Sequence, residues 1–200
     1  RFAALTNFAQ GDLTSFPKSR GELVHGFLDG ALSVKDYALS IKGDQYAGFN
    51  LLLFDGRHLL HTTNVSQPDQ PRSRLLPAGD YGLSNAELGA KWPKCVDGAN
   101  KLGALADGDH TNHQLIELLN DQEKPADDRL PNRGVPIERE RHLASCFISD
   151  AHYGTRASTV VRMGRKEIYF AEQTYLPEGV PGPKAEFEFV VESVDTSANV

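Results

Sequence analysis

Tyr46-Ala47-Gly48-Phe49-Asn50-Leu51-Leu52-Leu53-Phe54-Asp55-Gly56-Arg57-His58-Leu59-Leu60-His61-Thr62-Thr63 decides the fold class. A dense apolar run of strand length meets the turn dipeptide Asp55-Gly56, and a second run follows at once. Two strands joined by so short a turn lie antiparallel, since a parallel partner needs a crossover of about a dozen residues or more. The segment reads as a β-hairpin.

Upstream, residues 2–8 read as another strand. Ser19-Arg20-Gly21-Glu22 has the form of a capping box, and Leu23, Val24, Phe27 and Leu28 follow at helical spacing up to Gly30. Ser33-Val34-Lys35-Asp36 starts a second helix, with Val34, Tyr37, Ala38 and Ile41 on one face. Downstream, residues 64–74 read as a loop, and Leu75 to Leu83 as a short strand broken by Pro77 and Gly79. Residues 86–106 follow a helical pattern with Trp92, Val96, Ala99 and Leu102 on a face. Pro93 suits a first turn, so the regular helix is expected to start near Trp92. Thr111-Asn112-His113-Gln114 is a further capping box, ahead of Leu115, Ile116, Leu118 and Leu119.

Residues 121–136 read as an exposed loop. Strands are expected at about 156–163, 167–175 and 185–192, with a loop from Gly179 to Pro183. The last strand alternates Phe187, Phe189 and Val191 against Glu186, Glu188 and Val190, a half-buried pattern. Paired strands, central helices and a closing three-strand meander argue for an α+β fold with mostly antiparallel sheets, against a parallel doubly wound one. One domain over residues 1–192 is expected, with a disordered tail from 193 to 200.

The 200 residues are 40% apolar and 24% charged, ordinary for a globular protein, and the net charge is −6. No basic block is present, which disfavours a nucleic-acid partner. The longest apolar runs are too short to span a bilayer. The opening residues do not read as a signal peptide. The two cysteines, Cys95 and Cys146, form no disulfide framework or zinc-ligand spacing, which points to packing roles and a reducing compartment. Arg1 leads straight into a strand, so the domain's first part is expected to lie upstream of this sequence.

Tyr153-Gly154-Thr155-Arg156-Ala157-Ser158-Thr159 sets an arginine at the mouth of a strand. Arg156 either closes a structural ion pair or faces a ligand, because a charge entering a sheet core must be paired or stay wet. Asn7 ends a strand and Asn85 precedes a helical pattern. Each is a cap or turn residue, or else a carboxamide donor for developing negative charge. His58 and His61 are three apart and point to opposite faces of a strand, a poor chelate, and His110 and His113 straddle a helix cap. No third ligand is evident, so neither zinc nor haem ligation follows from spacing. Phosphate loops and nucleophile elbows are absent. Glu138, Glu140, Asp127 and Asp128 read as a solvated acidic cluster.

Six short motifs occur in one order: Leu5-Thr6-Asn7-Phe8, Ser19-Arg20-Gly21-Glu22-Leu23-Val24, Gly48-Phe49-Asn50-Leu51-Leu52, Tyr81-Gly82-Leu83-Ser84-Asn85, Trp92-Pro93-Lys94 and Tyr153-Gly154-Thr155-Arg156. Together they resemble the transport and Golgi organisation protein 2 family, also called the NRDE family, from about residue 2 to 176. The resemblance implies an N-terminal-nucleophile-hydrolase-like four-layer αββα sandwich, incomplete here at its N-terminus. The family begins Met-Cys, followed by its Asn-Arg-Asp-Glu motif, and neither is in this chain. It usually has Arg where this chain has Ala9, and Ser where it has Ala157.

By that resemblance Asn7, Asn85 and Arg156 are pocket residues that support an oxyanion, and the nucleophile lies outside this chain. The implied function is a cytoplasmic protein that binds or traffics haem or another amphipathic metabolite. Haem would be transported ligand, with no cofactor required. The alternative is a cysteine-nucleophile amidohydrolase acting on linear C–N bonds. The third reading is that Asn7, Asn85 and Arg156 only hold strand ends together.

Overall fold

The structure, a computed structural model, describes residues 1–8, 15–65, 71–106, 108 and 111–191. Ala9, His110 and the tail from 193 to 200, which the sequence reading singled out, lie outside the described residues. The fold is α+β. The chain divides into two compact units, Arg1–Ala99 with Asn132–Val135, and Asn100–Pro131 with Pro136–Val200.

The first unit carries an antiparallel sheet of order β1-β2-β3-β4, made of β1 (Phe2–Asn7), β2 (Phe49–Phe54), β3 (Leu59–Thr63) and β4 (Ser73–Leu76). The expected hairpin is its centre. Gly56 takes the positive φ of 94° that the turn requires. The Asp55 carboxylate closes the turn by accepting from the Arg57 and His58 amides at 3.0 and 2.8 Å. The fourth strand corrects the sequence reading. It starts at Ser73 and stops before Pro77, because proline has no amide for the ladder. The stretch from Pro77 to Leu83 is not a strand.

Two helices, α1 (Gly21–Asp29) and α2 (Val34–Ser40), cover one face of this sheet. Leu23, Phe27, Val34 and Ala38 pack on Ala3 and Leu5 of β1, Phe49, Leu51 and Leu53 of β2, and Leu60 of β3. Each fully buried side chain of this size contributes about 1.5–3 kcal/mol. Leu28, expected on the buried face of α1, is 43% exposed. The Ser33 hydroxyl accepts from the Asp36 amide at 3.2 Å, the N-cap read from sequence. At Ser19 the box is only half made. The Glu22 carboxylate accepts from the Ser19 amide at 3.0 Å, but the Ser19 hydroxyl accepts from Gly21 and not from the third helical amide.

The helix α3 (Pro93–Ala106) opens on the proline, as expected. Its buried residues are Pro93 and Cys95, whereas Val96 and Leu102 are 41% and 37% exposed, so the face read from the sequence is wrong. The cause is local: Gly82 lies against Cys95, so closely that a Cβ there would be 2.0 Å from the Cys95 carbonyl oxygen. That approach turns the start of the helix toward the Tyr81–Asn85 segment.

The second unit carries a separate antiparallel sheet of order β5-β6-β7, from β5 (Ala157–Met163), β6 (Glu167–Tyr175) and β7 (Pro181–Val190). Helix α4 (Asn112–Leu119) packs Ile116 on Val160 and Ala171, and the Thr111–Gln114 capping box is fully formed. β7 departs from the sequence reading twice. It begins at Pro181, inside the expected loop, and it is not half-buried: Phe187 and Phe189 are each 51% exposed. Among the described strands it pairs only with β6, at the sheet edge, and α4 packs over β5 and β6.

A helix the sequence reading did not anticipate, α5 (Ile137–Leu143), follows Pro136. Its charges follow the helix dipole, Glu138 and Glu140 in the first turn and Arg141 and His142 in the last. It also corrects the acidic cluster. Asp127, Asp128 and Glu138 are exposed, but Glu140 is only 3% exposed. Asp127 is not merely solvated either, since the Arg141 guanidinium donates to both its oxygens, at 2.8 and 2.5 Å. Among the described residues no helix is long and apolar enough to cross a membrane.

Candidate functional site

The end of β1 is where two of the sequence-predicted residues meet. Asn7 closes the strand opposite Phe49, and the Asn85 carboxamide donates an N–H to the Asn7 carbonyl at 2.8 Å. That bond holds the otherwise irregular Tyr81–Asn85 segment to the sheet edge. It also fixes the direction of the Asn85 carboxamide. The Asn7 side chain is exposed, and among the described residues its carboxamide makes no hydrogen bond.

Behind this corner runs a polar belt, buried at its centre, that the sequence reading missed. On the sheet face opposite α1 and α2, successive strands contribute Thr6, Asn50, His61 and Arg74. The Thr6 hydroxyl donates to the Ser84 carbonyl at 2.7 Å. The Asn50 carboxamide donates to Thr6 Oγ1 at 3.2 Å and to the Ala86 carbonyl at 2.9 Å. His61 Nε2 lies 3.0 Å from Asn50 Oδ1, and the Arg74 guanidinium donates to the Leu88 carbonyl at 3.0 Å. The belt thus satisfies alternate carbonyls of the segment 84–88, which has no regular ladder of its own. Burial first, and the Arg74 charge second, push the His61 imidazole down to about 4. It is the neutral form that sits in the belt at neutral pH.

A second asparagine does similar work beside β3. Asn64 donates to the carbonyls of Gly43 and Tyr46, both at 2.9 Å, and accepts from the Phe49 amide at 2.9 Å. The signal for Asn50 was its place in an otherwise apolar strand, where a carboxamide must find partners. Asn64 had no such signal, because it follows the strand's last residue.

Arg156 belongs to the second unit. Its carbonyl accepts from the Tyr175 amide at 2.8 Å, which starts the β5–β6 ladder. Its side chain is exposed, and among the described residues the guanidinium makes no hydrogen bond or ion pair. It stays wet at the strand mouth. The preceding residues clamp it there. Thr155 donates its amide to the Ile148 carbonyl at 2.8 Å, and its hydroxyl accepts from the Ile148 amide at 3.0 Å. A Cβ on Gly154 would lie 2.7 Å from that same carbonyl, so only glycine fits.

The histidine pairs do not assemble. His58 sits in the hairpin turn, exposed, while His61 is buried, and His113 faces Glu117 on the surface of α4. Among the described residues no group of three His, Cys, Asp or Glu is placed to hold a metal ion. Cys95 is buried and Cys146 partly so, and neither is in a disulfide.

The family model described as Transport and Golgi organisation 2 matches residues 1–177. The Transport and Golgi organization protein 2 homolog of Bos taurus is 31% identical over 194 residues, covering 88% of this chain and 69% of that protein. The Homo sapiens homolog is 28% identical over 212 residues, covering 96% of this chain and 75% of its own length. The Mus musculus homolog is 27% identical over 197 residues, at 88% and 69%.

Proposed function

Because the chain belongs to the Transport and Golgi organisation 2 family, we propose that it is a cytoplasmic protein that binds or traffics haem or another amphipathic metabolite, in haem or lipid homeostasis and secretory-pathway organisation. The proposed framework is the four-layer αββα sandwich of the N-terminal nucleophile hydrolases. Its support is that each unit presents an antiparallel sheet with helix packed on it, α1 and α2 in the first and α4 in the second. Haem would be cargo, with no resident cofactor required.

The observations that support the reading are two uncommitted donors, one in each unit and each taken by itself. The Asn7 carboxamide and the Arg156 guanidinium are both exposed, and among the described residues neither is hydrogen-bonded, although the backbone beneath each is clamped. Donors held ready in this way suit the carboxylates of an amphipathic anion, and arginine binds carboxylate in a fork. Titration with haemin, followed by absorbance, tests it. Saturable binding at low micromolar concentration is expected, weakened about tenfold in Arg156→Ala, which removes the charged donor. Absence of saturation removes the haem version.

The second reading is a cysteine-nucleophile amidohydrolase, favoured by the Asn85 carboxamide, which one N–H fixes on the Asn7 carbonyl so that its second N–H is left for an oxyanion. Its nucleophile would be the family's N-terminal cysteine, with its own α-amine as base. Acyl-amide substrates offered to the protein extended to that Met-Cys start, and to its Cys→Ala variant, decide it. Equal rates for the two would sink the mechanism.

A further inference from the structure

Asn64-Val65-Ser66 has the N-x-S form of an N-glycosylation acceptor, and it is the one such triplet in the 200 residues. An acceptor asparagine must present its carboxamide nitrogen. In the folded chain that nitrogen is fully used. Asn64 Nδ2 donates to the carbonyls of Gly43 and Tyr46, both at 2.9 Å, and lies 3.3 Å from that of Ala47. A carboxamide has two N–H groups, so none is left over. The oxygen is committed as well, accepting from the Phe49 amide at 2.9 Å. Turning the group over would therefore set carbonyl against carbonyl. The surroundings are closed. The Arg72 guanidinium donates to the carbonyls of Thr63 and Ile41, both at 3.1 Å, beside the same turn. A Cβ on Gly43 would lie 2.6 Å from Arg72 Nη2 and 2.9 Å from Asn64 Cβ. Space too small for a methyl group has no room for a sugar.

We infer that glycosylation of Asn64 and formation of this fold exclude each other: the unfolded chain carries an acceptor that folding closes, and a chain glycosylated first cannot fold. The co-reactant is a polyprenyl-diphosphate-linked oligosaccharide. Asn64 Nδ2 bonds to the anomeric carbon, whose bond to the diphosphate breaks. The diphosphate leaves with the electron pair, and one amide proton passes to solvent. Whichever hydrogen is replaced, a donor to Gly43 or Tyr46 is lost. A single C–N bond is about 1.45 Å, so the sugar carbon would stand about half-way to the carbonyl oxygen that the N–H now meets. The turn from Gly43 to Ala47 would then lose the side chain that ties it to the start of β2 and the end of β3, and its carbonyls would lose their donor. The consequence is a restriction by compartment. Where glycosylation of nascent chains precedes folding, this chain loses its fold. The inference does not rest on the ligand proposed above, and its failure leaves haemin binding untouched.

The test is translation of the whole chain, led by a cleavable secretory signal, into endoplasmic-reticulum microsomes, followed by limited proteolysis of the lumenal product. Ser66→Ala, which removes the acceptor and keeps Asn64, is the comparison. The parent chain in microsomes depleted of the lipid-linked oligosaccharide is a second comparison, in case the variant fails to fold. The parent should gain one glycan, read as a gel shift that an endoglycosidase reverses. It should then be cleaved at least about tenfold faster than either unglycosylated chain. The folded chain, made without the signal and offered to solubilised microsomal transferase, should stay unmodified while a short peptide of the same triplet is glycosylated. A lumenal parent that gains no glycan overturns the inference. So does a glycosylated chain cleaved no faster than the unglycosylated ones, and so does a folded chain modified as readily as the peptide.

Discussion

His61 Nε2 donates to Asn50 Oδ1 across 3.0 Å, with His61 4% and Asn50 0% exposed. The tautomer follows from the partners. The Asn50 amide group is used on Thr6 and Ala86, so its oxygen faces the imidazole and the proton belongs on Nε2. Two polar side chains in the middle of a sheet would cost several kcal/mol if unpaired. Paired, they fasten the segment 84–88, and with it Asn85, to the strands below.

This pairing makes stability depend on pH. The folded His61 titrates at about 4 against an ordinary 6.5, so between those values the unfolded chain binds a proton that the folded one does not. Its contribution is fully present above pH 6.5 and is lost as pH falls toward 4. At about 1.4 kcal/mol per unit, the loss is about 3 kcal/mol. Urea unfolding at a series of pH values should show this decline. His61→Gln, which keeps a donor but does not titrate, should show a flatter one.

Gly82→Ala should be severely destabilising. The added methyl would sit 2.0 Å from the Cys95 carbonyl oxygen, and the obstacle is backbone, which does not swing aside. A loss of about 3 kcal/mol is expected from overpacking of this kind, read as a shift in the denaturation midpoint. Gly98→Ala, which meets nothing within 4 Å, is the control and should be neutral or slightly stabilising.

Arg156→Ala should leave stability within about 0.5 kcal/mol of the parent, because the guanidinium is exposed and unpaired among the described residues. A sharp fall in melting temperature with ligand binding intact would favour the reading in which Arg156 only holds the strand end.

Thr111→Ala should cost about 1 kcal/mol by removing the cap of α4. The helix supplies Ile116 to the small core of the second unit, so the loss should register in the unfolding of that unit.

The elements legible in the sequence were those with local causes. Asp55-Gly56 carries its own turn chemistry, Pro93 suits a first turn, and the Thr111–Gln114 box bonds within one turn of helix. Each was placed within a residue or two. The missed helix α5 also has local causes, but its run of charges masked its apolar positions, Ile137 and Leu143.

The candidate site divides along the same line. Asn7 and Asn85 stood out because strand edges and irregular segments are where asparagine is conspicuous. That they touch, through an N–H spanning 78 positions of chain, was not visible in either neighbourhood. Phe187 and Phe189 alternate with glutamates, which shows that β7 has two faces. Alternation does not say which face is covered or by what, and neither aromatic is buried. Sequence alone determined the α+β class, the hairpin, the caps at Ser33 and Thr111 and the family, because those rest on contacts a few residues apart or on motifs in order. Only the tertiary structure decided that Asn50 and His61 form the buried centre of a polar belt, and that Glu140 is inside and β7 outside. Those facts depend on which distant segments displace water from a side chain, and no local pattern encodes that.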